Sequence, residues 1–203
     1  MNFTKPKIPK IMHHVWLGGK QIPKQLTQCM KTCYDKHPTW EHVVWTEKNM
    51  PFPFAFHEEW NLDNNLARKS DLIRLQVLLN YGGVYLDTDM ECIKPIDDLL
   101  RGYRFVVAQE KGGWINNAVI ASAKGSPIIK NIMSEVKKRY AKIERDEWIT
   151  GGIRHKDPRK YVAQVGGPYV FNKFRGILKR LDQRLEGVKL YPSEYFYPIE
   201  YEN

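Results

Sequence analysis

Two carboxylates spaced by one residue, Asp87-Thr88-Asp89, directly follow the apolar run Val84-Tyr85-Leu86. Alternation along a strand sends Val84 and Leu86 to one face and Tyr85 and Asp87 to the other. Two acids at a strand end can therefore face one crevice. Carboxylate oxygens suit a hard divalent cation, Mn²⁺ or Mg²⁺. Such an ion, kept partly open, can hold a diphosphate and neutralise its charge. Asp87 and Asp89 are thus candidate metal ligands.

The segment upstream adds to this set. Asp71 and Arg74 are three apart, as are Arg68 and Asp71, so each pair shares a helical face. Leu72, Ile73, Leu75, Val77, Leu78 and Leu79 surround them. Charges among such neighbours are costly unless paired or liganded. An internal Arg–Asp pair that fixes the helix would explain Asp71 and Arg74 taken alone. Together with Asp87 and Asp89, they read as a hydroxyl acceptor and an anion donor in one crevice.

The pattern S-D-x-x-R followed by Y-G-G-x-Y-x-D-x-D (Ser70 to Asp89) resembles the sugar-transferase region of glycosyltransferase family 32 and the related catalytic domains of clostridial glucosylating toxins. The blocks IPKIMHHVWLGG, HPTWEHVVWTE, NNAVIASAKGSPII, VGGPYVF and LYPSEYFYP are similar to other parts of that family, in its order. The resemblance implies a GT-A fold: a Rossmann-like, mostly parallel sheet flanked by helices, as a single domain over 1–203. It implies a retaining transferase that takes a UDP-sugar, or GDP-mannose, and a glycan, glycolipid or protein acceptor. By the same resemblance Asp89 ligates Mn²⁺ (Mg²⁺ as the alternative), and Asp87 contacts the donor and reaches the metal through water. Asp71, beside Ser70, accepts from donor hydroxyls, and Arg74 donates to sugar or diphosphate. Tyr85 lies along the donor, Val15 and Trp16 face the base, and Asn116 and Asn117 lie near the transferred sugar. Family members continue past the Phe-Tyr-Pro block into a segment with a His and a Ser-Trp pair. This chain ends at Asn203, so a short or absent lid is expected, and a nucleotide-sugar-binding domain without transfer is the alternative reading.

The elements that must hold these groups alternate between strand and helix. Strands are expected over 8–17, 42–46, 84–87, 105–109 and 118–123. Helices are expected over 23–37, 64–81, 127–143 and 168–185. Gly82-Gly83 stops the second helix, and Ser126-Pro127 starts the third. The end, LYPSEYFYP, reads as irregular. In such α/β sheets ligands sit beyond the carboxyl ends of the strands. Cys29, Cys33 and His37 form one helical stripe that reads as packing, because zinc would need a fourth ligand. His13 and His14 read as packing too, and His155 as part of a basic loop.

The net charge is +9, from 32 basic and 23 acidic residues. It is uneven: residues 1–123 carry 15 basic and 13 acidic residues, whereas 124–189 carry 17 and 7. That basic stretch marks where acceptor or peripheral membrane contact is expected. No zinc finger, RNP-type strand or helix-turn-helix appears, so nucleic acid is not an expected partner. A haloacid dehalogenase-type phosphatase would want Thr or Val where Glu91 stands. No apolar run is long enough for a transmembrane helix, no secretory signal is seen, and three cysteines make no disulfide framework. The expectation is a cytoplasmic, bacterial or viral enzyme.

Overall fold

The computed structural model describes residues 7–142, 165–184 and 187–197. Six strands form one sheet: β1 (Ile11–Val15), β2 (Glu41–Trp45), β3 (Gly83–Leu86), β4 (Phe105–Gln109), β5 (Ile115–Ser122) and β6 (Val188–Tyr191), in the order β2-β1-β3-β5-β4-β6. β1 pairs in parallel with β2 and β3, and β4 with β6. β5 alone runs against its neighbours, β3 and β4. The sheet is mostly parallel, as expected; the reversed strand is an addition to that expectation.

The helices are α1 (Lys24–Lys36), α2 (His57–Leu62), α3 (Leu66–Asn80), α4 (Asp97–Leu100), α5 (Pro127–Tyr140), α6 (Pro168–Lys173), α7 (Arg175–Gln183) and α8 (Ser193–Phe196). Strand alternation gives the sheet two apolar faces. Tyr85, Val107 and Ile120 meet the apolar residues of α3 and α5 on one side. Val84, Leu86, Val106 and Ala121 meet Cys33 of α1 and Leu100 of α4 on the other.

α3 carries most of the site and is well specified. The Asn65 side chain caps it by accepting from the Arg68 N–H at 3.1 Å. It ends at Gly82-Gly83, and Gly83 has φ +101° with a position for Cβ only 2.5 Å from the Ile11 carbonyl. Only glycine fits there, and the tight turn lets β3 return beside β1. His13 and His14 bind the same strands together. Nε2 of His13 donates to the Gly82 carbonyl at 2.7 Å, and Nδ1 of His14 to that of Leu86 at 2.9 Å. Burial pushes both imidazoles down to about 4, so they are neutral packing groups.

Arg68 does not pair with Asp71. It forks onto Asp63 at 2.7 Å through both Nε and Nη2, with Tyr140 donating to the same carboxylate at 2.9 Å. The stripe of Cys29, Cys33 and His37 also serves packing. Nδ1 of His37 donates to the Cys33 carbonyl at 2.9 Å, and its Nε2 accepts from the Ile96 N–H at 3.0 Å. Among the described residues no cluster of three His, Cys, Asp or Glu could hold a metal.

Three expectations change. The helix expected over 168–185 is two, α6 and α7, broken at Phe174, and Leu185 lies outside the described residues. β6 replaces part of the irregular tail: the Gly187 carbonyl accepts from Arg104 and Phe105 at 2.6 and 3.2 Å and docks the segment on β4. β5 starts at Ile115, earlier than expected: Asn116 and Asn117 are poor strand formers, but pairing of Ile115 and Asn116 with Gln109 and Ala108 of β4 overrides that preference. Ile143 and His155 lie outside the described residues.

Candidate active site

A crevice of 380 Å³ opens beyond the ends of β1 and β3. Val15, Trp16, Ser70, Tyr85, Asp87, Thr88 and Asp89 line it, with Leu17, Leu26, Leu66 and Ala67 as an apolar wall. The Trp16 indole N–H is spent on the Lys20 carbonyl at 2.7 Å, which fixes the ring.

Arg74 organises the floor. Its Nη2 donates to Oδ1 of Asp87 at 2.9 Å and lies 3.3 Å from Oδ1 of Asp71. Its Nη1 donates to the Asn117 carbonyl at 2.6 Å. The guanidinium lies 4.3 Å from the centre of the Tyr85 ring, a cation–π contact. The Tyr85 hydroxyl donates to Oδ1 of Asp87 at 2.6 Å, with Ser70 beside it. Nε of Arg74 is buried with no partner among the described residues.

Asp71 is buried, and the Asn117 side chain donates to it at 2.9 Å. Burial raises its carboxyl to about 6; Arg74 and Asn117 oppose the rise, and the Asp87 charge adds to it. Gly166 packs directly on this residue. A β-carbon there would lie 2.9 Å from Cβ and 3.2 Å from Oδ2 of Asp71. Asp89 is exposed at the rim, and partial desolvation, then the Asp87 charge, holds its carboxyl above the usual range.

Asn117 and Asn116 differ in role. Asn117 belongs to the Asp71–Arg74 network, whereas the Asn116 side chain donates to Glu110 and accepts from the Ala118 N–H at 2.7 Å. A bulge in β5 explains the arrangement. Pairing with β4 jumps from Val107↔Ile120 to Ala108↔Asn116, which leaves residues 117–119 surplus. Val119 stays paired with Leu86 of β3, and the backbone groups released from β4 find other partners around the site. The Asn117 carbonyl takes Arg74, that of Ala118 takes the Asp87 N–H at 2.9 Å, and the Val119 N–H donates to the Tyr197 hydroxyl at 3.1 Å.

The structure therefore brings together Ser70, Asp71, Arg74, Tyr85, Asp87 and Asn117, with Val15, Trp16 and Asp89 along the crevice. Sequence reasoning missed Gly166, Tyr197 and the apolar wall. Gly166 and Tyr197 stood in quoted blocks, but nothing in their residue types showed that they reach the site.

Three carboxylates stand against one guanidinium here. A diphosphate would meet excess negative charge unless a divalent cation came with it. The raised Asp89 carboxyl, beside Asp87, has the oxygen donors and the unrelieved charge that such a cation needs. Asp87 and Asp89 fit the group in donor chemistry, and among the described residues no third protein ligand stands with them.

Comparison with known proteins agrees with this geometry. Residues 23–106 match the family described as the glycosyltransferase sugar-binding region containing DXD motif. Inositol phosphoceramide mannosyltransferase 3 of Schizosaccharomyces pombe is 35% identical over 132 residues, 62% of this chain and 36% of the relative. The chain thus spans little more than a third of that relative's length. Among solved structures, the PaToxG glycosyltransferase superposes with a TM-score of 0.61 at 20% identity, covering 89% of this chain and 74% of that one. The UDP-bound glycosyltransferase domain from the YGT toxin gives 0.63 at 12% identity, covering 93% and 80%. At these identities the superpositions establish the GT-A fold. The crevice residues Asp71, Arg74 and the Asp87-Thr88-Asp89 motif all lie within the matched region, so it is the site-bearing part of this GT-A fold that is similar to the DXD-motif glycosyltransferase family.

Proposed function

We propose that this chain is a retaining glycosyltransferase that moves a sugar from a nucleoside diphosphate donor to a hydroxyl of a glycan, glycolipid or protein. The observation that carries the reading is the joined set Asp71–Arg74–Asp87–Asn117 at the crevice floor. The base lies against Val15 and Trp16, where an aromatic face gives affinity with little base selectivity. Asp71 accepts from the donor sugar, and Asn117 orients that carboxylate. Arg74, held by two acids, faces the sugar–phosphate bond.

Asp87 and Asp89 would hold Mn²⁺ or Mg²⁺, which when bound neutralises charge on the leaving diphosphate. Arg74 contributes a second positive group that is already in place before reaction. Cleavage of the anomeric bond leaves negative charge on the diphosphate and oxocarbenium character on the sugar. The acceptor hydroxyl then attacks from the face the diphosphate leaves, and a diphosphate oxygen takes its proton. No side chain of the floor is assigned as a covalent nucleophile in this reading.

A UDP-sugar is the favoured donor, and the mannosyltransferase named among the relatives supports GDP-mannose as the alternative. The basic balance of residues 124–189 supports peripheral membrane contact on the cytoplasmic side. No helix among the described residues is long and apolar enough to cross a membrane.

The test is a thermal-shift panel of UDP- and GDP-sugars with and without Mn²⁺, followed by donor hydrolysis assays. A ligand that binds only the folded state raises the melting temperature. A metal-dependent shift with at least one donor is expected, and no shift with any overturns the reading. Binding without hydrolysis or transfer would favour a nucleotide-sugar-binding domain.

A further inference from the structure

An exposed aromatic pair lies outside the donor crevice. Trp114 is 47% exposed and Tyr169 38%, with ring centres 5.3 Å apart at 54°. Large apolar side chains held in water carry a cost, and two such rings together form a partly exposed aromatic patch. Both rings are mounted rigidly. Trp114 ends the β4–β5 hairpin, where the Glu110 N–H donates to its carbonyl at 2.7 Å. The next residue, Ile115, is gripped at both backbone groups by the Asn172 side chain, each at 3.0 Å. Asn172 belongs to α6, the same helix that carries Tyr169. A single side chain thus ties the two arms of the patch together.

Each arm also leads directly to the site. Trp114 is three residues from Asn117, roughly 10 Å along a strand. Tyr169 is three residues from Gly166, which packs on Asp71. The patch therefore sits on the β5 and α6 side of Asp71, whereas the base wall of Trp16 and Leu66 belongs to the β1 and α3 side.

We propose that Trp114 and Tyr169 form a platform for the acceptor: a saturated six-membered ring with an apolar C–H face and a hydroxyl rim, either a pyranose or a cyclitol. The proposal rests on the glycosyltransferase reading of the crevice. An aromatic face is electron-rich and attracts the partly positive C–H groups of such a ring, while the rim hydroxyls stay in water. Arg175, whose Nη2 would lie 2.7 Å from a β-carbon on Gly113, places a cation beside the loop. A ring that carries a phosphate is favoured over a neutral one.

The test is saturation-transfer difference NMR on the whole chain with UDP and Mg²⁺. The probes are methyl α-D-mannopyranoside, myo-inositol and myo-inositol 1-phosphate. Signal from the ring C–H protons of at least one probe is expected. It should fall about five-fold or more in Trp114→Ala and in Tyr169→Ala and persist in Trp114→Phe. The UDP-induced thermal shift should stay as in the parent protein. Signal from the mannoside alone identifies a pyranose, and signal from the inositols alone a cyclitol. No signal from any probe, or equal signal in all four proteins, overturns the platform. Loss of the UDP shift in the alanine variants would assign the patch to the donor and overturn it as well. A parent chain that binds no nucleotide would instead count against the donor crevice, so the two failures are distinguishable.

Discussion

Asn117 donates its side-chain amide to Asp71 at 2.9 Å, and its own carbonyl accepts from Arg74 at 2.6 Å. One residue of β5 thereby sets both the acid and the base of the α3 pair. The orientation of α3 against the sheet and the electrostatics of the crevice are a single arrangement.

Asp89→Ala is expected to abolish the Mn²⁺ dependence of nucleoside diphosphate binding. Its carboxyl is held high by partial desolvation and by the Asp87 charge, a penalty that a bound cation would relieve. Isothermal titration of UDP with and without Mn²⁺ checks this. Unchanged metal dependence in the variant sinks the assignment of Asp89.

Donor binding should strengthen as pH rises through about 6, where Asp71 ionises and can accept from sugar hydroxyls. The fold responds in the opposite sense. Because burial raises this carboxyl, the folded chain binds the proton more tightly than the unfolded chain does. The stability from that proton is full below about pH 4 and is lost as pH rises through about 6. Affinity measured from pH 5 to 8 should show the step, and Asp71→Asn should remove it. UDP without a sugar should show a smaller step than a UDP-sugar.

Arg68→Met should destabilise the protein by about 3–5 kcal/mol, because it strands the buried Asp63 charge. Removing both charges, Arg68→Met with Asp63→Leu, should recover most of the loss, less the hydrogen bond that the Tyr140 hydroxyl gives to Asp63. Urea unfolding of the three proteins measures the difference. A double variant as unstable as the single one would show that the ion pair itself, and not the stranded charge, matters most.

Gly166→Ala should weaken binding of the sugar portion of the donor. The new methyl would crowd Cβ and Oδ2 of Asp71 at 2.9 and 3.2 Å. The affinity for a UDP-sugar should fall about ten-fold, with little change for UDP alone. Equal losses for both would mean that the methyl disturbs the base end as well.

Much of this site was legible in residue order. The Gly82-Gly83 stop, the apolar α3 and the acids after β3 each follow from a local rule: glycine conformation, helical spacing, strand alternation. Arg74 beside Asp87 follows once α3 is known to lie under β3. What was hidden depends on contacts between distant segments. Arg68 chose Asp63 over Asp71 because α3 opens with Asn65 as its cap and Asp63 just beyond it, a matter of where one helix begins. Gly166 and Tyr197 reach the site from the end of the chain, 95 and 110 residues past Asp71 and Asp87. β6 was missed although Val188 and Tyr191 favour strands, because a run of four residues becomes a strand only where β4 offers an edge.

The bulge in β5 divides labour along one strand. On its far side, Ile120 to Ser122 are locked in register with β3 and β4. On its near side, the hairpin tip that carries Trp114 pairs separately with Ala108 and Gln109. The tip therefore keeps a pairing register of its own, offset from that of Ile120 to Ser122. If the platform proposal holds, the residues that choose the acceptor and those that keep β3, β4 and β5 in register are separate sets on one strand.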